Sequence, residues 1–212
     1  MPTQDDEVAK REFIEAYFED LDRKVRFLSE LGAQDRAEEA QLLALVYIDG
    51  IANWLKHPST HTAHNFCDVL IEYGGDRQFP LVLPHWLPKT LPWKHAPAGA
   101  GAAIRGALAL VPEYEAQLPE PFLGSLHLSD DHRRWLSTNL WRGTLAHAVY
   151  VALRCPGVHE LATGQGLSFS DTKWQGETLE RVGLERLLVA LGRISEHARH
   201  LSLSTNKWFG VE

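Results

Sequence analysis

The sequence predicts an all-α protein: a bundle of four to six helices interrupted by one irregular, proline-rich connection. Three observations lead there. Apolar residues recur at spacings of three and four through several stretches, the mark of helices with one buried face. Strand-like segments do not alternate with helical ones, and no repeat of fixed period runs along the chain. With 44% hydrophobic and 23% charged residues, the 212-residue chain can bury a core, and it reads as a single domain over 1–212.

The elements follow in order. Residues 5–31 set Phe13, Tyr17, Leu21, Val25 and Leu28 on one stripe, with acids early and Gly32 as a stop. Residues 34–56 form a second, more apolar helix through LLALVYIDGIANWL. A third covers THTAHNFCDVLIEY at 60–73 and closes at Gly74-Gly75. Five prolines in 76–98 predict an irregular connection, where Trp86 and Trp93 either plug the packing or offer a partner-binding or base-stacking surface. A glycine-diluted helix is predicted within 100–118. Ser129-Asp130-Asp131 starts a long helix over 130–154. Residues 162–176, polar and glycine-containing, fit a short hairpin, and the last helix covers 177–201.

The net charge of -7 is the wrong sign for an obligate binder of long nucleic acid, so any such contact is local, transient or supplied by an oligomer. Cys67 and Cys155 lie far apart and match no metal pattern, which predicts reduced thiols. The charged start MPTQDDEVAKREF lacks a signal-peptide core, and no run is long enough to span a membrane. The expectation is a soluble cytoplasmic protein with no membrane partner.

The stretch YVALRCPGVHEL at 150–161 approaches as helix, breaks at Pro156-Gly157, and sets Arg154 and His159 with four residues between them. Such a pair can cleave RNA without a metal. A neutral imidazole exchanges a proton with the 2′-hydroxyl, while a guanidinium holds charge on the phosphoryl oxygens. Spacing alone decides little. With 14 arginines and 11 histidines, chance gives roughly two pairs separated by four to six residues, and the chain has three. The others are Arg142 with His147 and Arg193 with His200, the last pair reading as a charged face of the final helix.

Context favours Arg154 and His159. LRCPGVHEL resembles the Arg-x4-His signature of HEPN-domain proteins (higher eukaryotes and prokaryotes nucleotide-binding). LLALVYIDGIANWL and CDVLIEYGG resemble the apolar helix and following segment of bacterial HEPN-like proteins, in the same order. The resemblance implies a helical bundle, commonly dimeric, acting as a metal-independent endoribonuclease in toxin–antitoxin or antiviral roles. It makes His159 the acid/base, Arg154 the phosphate clamp and Glu160 an adjacent polar helper, with no cofactor and no metal. It also implies a homodimer and, in the toxin branch, a nucleotidyltransferase antitoxin. That branch carries a tyrosine two positions past the histidine, where this chain has Leu161.

Several alternatives stay open. Cys155 stands where active members carry a polar residue, which together with the acidic charge points to a catalytically silent HEPN module that binds a partner or nucleotide. Arg154 also suits a simple helix C-cap, with His159 on the surface. Arg142 and His147 are the alternative pair. Asp49, on an otherwise apolar helix, needs a partner: a structural one, or Arg154 or His159 if it orients the site. His57, His61 and His64 recur at helical spacing, which in a DinB-like bundle would serve a divalent metal, although Pro58 interrupts the run.

Overall fold

A computed structural model describes residues 4–56, 62–155 and 166–207. The protein is all-α with one two-stranded ribbon, and the chain divides into two compact units, each assembled from separate segments.

The first unit comprises Met1–Asp76, Leu153–Leu167 and Val182–Glu212. Its helices are α1 (Gln4–Ala33), α2 (Ala37–Leu55), α3 (Thr62–Tyr73) and α9 (Leu184–Thr205). Helix α1 packs on α2 and α9, and α3 packs on both α2 and α9. The buried stripe of α1 is Ile14, Phe18, Leu21, Leu28 and Leu31, whereas Phe13 is 59% exposed. The expected stripe through Phe13 and Tyr17 was therefore one residue out of phase in its first half. Both rows satisfy a three-four spacing, and burial against α2 and α9 selects between them.

Gly32 does not stop α1. It lies inside the helix, where an added Cβ would run into the Leu184 side chain at the start of α9. The left-handed residue after the helix is Asp35, at φ 58°. Gly75 (φ 71°) fits the expected glycine closure of α3, and its carbonyl accepts a hydrogen bond from Arg193 at 2.9 Å. Leu167 and Val182 exchange two backbone hydrogen bonds of 2.8 Å, which clip together the ends of the excursion 168–181.

The second unit comprises Arg77–Ala152 and Ser168–Arg181. It contains five short helices: α4 (Leu87–Thr90), α5 (Ala100–Leu108), α6 (Pro119–Ser125), α7 (Asp130–Asn139) and α8 (Leu145–Val149). Their core is built on Leu87, Ile104, Phe122, Leu136 and Leu140. An extended stretch at 81–83 ties the unit together: Val82 exchanges hydrogen bonds with Gln117, Leu83 N–H donates to the Gly143 carbonyl, and Leu145 N–H donates to the Leu81 carbonyl.

These backbone bonds explain two departures from expectation. The helix expected within 100–118 ends at Leu108, because residues 115–117 are engaged with Val82 and Lys173 in extended form. The long helix expected over 130–154 is broken into α7, a 3-10 turn (Leu140–Gly143), α8 and a π-helical turn (Tyr150–Arg154). At the break Thr144 is extended (φ -77°, ψ 159°) and caps α8, its hydroxyl accepting from His147 N–H at 3.3 Å. The ribbon pairs β1 (Lys173–Trp174) with β2 (Glu177–Thr178) through a two-residue turn, Gln175 and Gly176, both at positive φ. It lies at and beyond the C-terminal edge of the expected hairpin, and the last helix starts later than expected, after Gly183.

Candidate functional site

Asp49 lies on the buried face of α2, one turn from Leu45 and beside Ile48. A carboxylate there loses most of its hydration, so it requires a cation or donors. Arg154, the last residue of the π-helical turn, supplies one: its Nη2 donates to Asp49 Oδ2 at 2.7 Å, with side chains only 16% and 11% exposed. The second oxygen, Asp49 Oδ1, is buried and accepts no hydrogen bond among the described residues. The π turn adds one residue to the helical repeat, which changes the direction in which the final side chain leaves the helix. Of the residues singled out in the sequence, Asp49 and Arg154 are brought together. His159 and Glu160 lie outside the described residues. Cys155 is half-buried and, like the buried Cys67, a free thiol.

The alternative pair sits elsewhere, in the second unit. His147 is 5% exposed on α8 and packs edge-on against the Trp141 ring, with centroids 5.1 Å apart. Burial pushes its pKa down to about 4, the Arg142 charge adds to that, and the Arg142 carbonyl works in the opposite sense. The ring is thus neutral at pH 7. The Arg142 guanidinium lies over the Trp141 ring, 4.4 Å from its centroid. Sequence spacing pointed to Arg142 and His147. It could not show that Trp141 would stand between a cation and a buried imidazole, because that arrangement depends on the break at Gly143-Thr144.

The remaining candidates have plainer settings. His64 faces Asp68 at 3.4 Å on α3, while His57 and His61 lie outside the described residues. No group of three or more His, Cys, Asp or Glu among the described residues could hold a metal ion. Trp93 is held by an indole N–H bond of 2.8 Å to the Pro88 carbonyl and lies under Arg105, a packing role. Arg193 is engaged with Gly75, and His200 is exposed.

Sequence reading missed the stack of Tyr73 on His197 (3.8 Å between centroids, 11° between planes) and the Arg186–Asp76 ion pair. Both join α9 to the end of α3 across long sequence separations, and no local pattern signals them. No helix among the described residues is long and apolar enough to cross a membrane.

Compared with protein-family models, curated proteins and solved structures, the chain matches none. The HEPN resemblance accordingly rests on the three quoted segments alone.

Proposed function

We propose that this chain is a metal-independent endoribonuclease of the HEPN type, with Arg154 as phosphate clamp, His159 as proton carrier and Asp49 as the residue that orients Arg154. The observation that carries this reading is the 2.7 Å pair between Asp49 and Arg154. A guanidinium is a rigid fork of five N–H donors, and anchoring one arm on a buried carboxylate sets the plane of the others before substrate arrives. A second copy of the chain is the proposed partner. Facing motifs from two chains would concentrate the positive charge that a monomer of net charge -7 lacks.

The test is cleavage of single-stranded RNA in the presence of a chelator. The expected product end is a cyclic phosphate, because the 2′-hydroxyl is the nucleophile, and DNA of the same sequence survives. His159→Ala and Arg154→Ala each lower the rate by about a hundredfold or more, and His147→Ala leaves it within a few-fold. Loss of cleavage in His147→Ala, with His159→Ala active, reverses the assignment of the pair.

A second reading is a catalytically silent module that binds a partner or nucleotide. It is favoured by the same ion pair seen differently, since Asp49 cancels the charge that Arg154 would offer to a phosphate. Folded wild-type dimer that cuts no RNA selects this reading.

A further inference from the structure

The second unit holds a cavity of about 460 Å³ bounded by α4 and the turn before it, the end of α5 and the segment that follows. Its lining is apolar at Pro88, Leu108 and Val111, and its polar groups are His85, Lys89, Arg105 and Glu113. The last three are exposed, and none of them makes an ion pair among the described residues. Two cations and one carboxylate thus line one cavity without closing on one another. Two of the polar groups are held in place. The Arg105 guanidinium lies over the Trp93 ring, 5.0 Å from its centroid, and the Trp93 indole N–H donates to the Pro88 carbonyl at 2.8 Å. The His85 ring stacks on Tyr114, with centroids 5.3 Å apart, and its Nδ1 lies 3.3 Å from the Glu113 carbonyl oxygen. A carbonyl only accepts, so Nδ1 carries the proton and Nε2 is left as an acceptor. Burial holds the His85 pKa below its ordinary value, against the pull of that carbonyl, and the Lys89 charge adds to the lowering while the Glu113 charge opposes it. The ring is neutral at pH 7.

We propose that this cavity binds a small organic carboxylate that has an apolar body and a hydroxyl group. Arg105 and Lys89 take the carboxylate: the guanidinium as a fork whose plane is set in advance by its stack on Trp93, the ammonium as a point charge. Leu108 and Val111 cover the apolar body. The hydroxyl donates to His85 Nε2 or to the Glu113 carboxylate, both of which accept. Charge selects the class of anion. Two cations against one carboxylate leave a single positive charge in the lining, which one further carboxylate balances. A phosphate monoester carries nearly two negative charges at neutral pH and would set the surplus against Glu113. The site is independent of the cleavage reading. It is read through Lys89 and Arg105, whereas cleavage is read through Arg154 and His159, so the failure of one is distinguishable from the failure of the other.

The test is an NMR titration of the full-length protein with para-hydroxyphenylacetate at neutral pH and constant ionic strength, following the backbone amides of Leu108 and Val111. A saturable shift with a midpoint at millimolar concentration or below is expected. The uncharged amide of the same acid is expected to bind about tenfold more weakly, and phenylacetate, which lacks the hydroxyl, about threefold. Arg105→Gln and Lys89→Gln change exposed side chains, and each is expected to raise the midpoint about fivefold or more with an unchanged circular dichroism spectrum. Lys89 has no part in the Trp93 stack, so its variant separates loss of charge from loss of the stack. Amides that stay fixed to tens of millimolar of the acid overturn the proposal. Equal binding of the amide and the acid, an unaltered midpoint in either folded variant, or tighter binding of ribose 5-phosphate overturns it equally.

Discussion

Arg154 and Asp49 form the buried ion pair on which the proposed function rests, and its energetics are testable apart from activity. Removing one partner of a buried pair leaves the other charge uncompensated, at a cost of about 3 kcal/mol. Asp49→Ala and Arg154→Ala are each expected to lower stability by about that amount, and the double variant by less than the sum, with a coupling of about 1–3 kcal/mol in urea denaturation. Additive losses would mean that the pair does not hold in solution. His147 makes a second claim at this scale. Its folded pKa of about 4 lies below the ordinary 6.5, so on acidification the unfolded chain takes up the proton first. The contribution is intact above about pH 6.5 and is lost as pH falls toward 4, by about 3 kcal/mol in all. Comparing urea midpoints of wild type and His147→Leu between pH 7 and pH 4.5 checks this; parallel profiles would refute it.

Among the elements, the break between α7 and α8 decides the most. Gly143 is there for want of space: a Cβ would lie 2.6 Å from Leu87 Cδ1 and 2.9 Å from Leu87 Cβ, and Leu87 is fully buried on α4. Gly143→Ala is therefore expected to destabilise the protein by about 1–3 kcal/mol, although alanine is the better helix former. A neutral or stabilising outcome in thermal unfolding would show that α4 can withdraw. The break also lets Thr144 cap α8 and sets the turn that carries His147 inward beside Trp141. An unbroken helix over 130–154 would have no extended residue to pair with the stretch at 81–83.

Across the molecule, charge is divided unevenly. The unit holding Asp49 and Arg154 carries twelve Lys and Arg against twenty Asp and Glu, while the other carries nine against eight. In the proposed reading, a phosphodiester approaching Arg154 therefore meets an unfavourable field from the unit as a whole, which only the local juxtaposition of the Arg-His motifs of two copies would offset. Sedimentation equilibrium at micromolar concentration is expected to give a dimer, and a monomer would weigh against both the dimer and the ribonuclease.

Local periodicity was enough to reveal the all-α class, helices α1 to α3, the proline-rich connection, and Asp49 as a carboxylate in need of a partner. Each of these follows from residues within a few turns of one another. The partner itself, Arg154, stands 105 residues away, and only folding of the first unit brings the two within hydrogen-bond distance. Tertiary structure likewise chose between the Phe13 and Ile14 rows of α1, made Gly32 a contact point rather than a stop, and broke the helix at Gly143. In each case the deciding atom belongs to a distant segment, Leu184 for Gly32 and Leu87 for Gly143, and close packing leaves room for neither an added methyl nor a second helical phase. The buried Trp86 Nε1, Arg142 Nε and His147 Nδ1, which have no hydrogen-bond partner among the described residues, are of the same kind, since hydrogen-bond satisfaction is settled by what surrounds a side chain after the chain has folded.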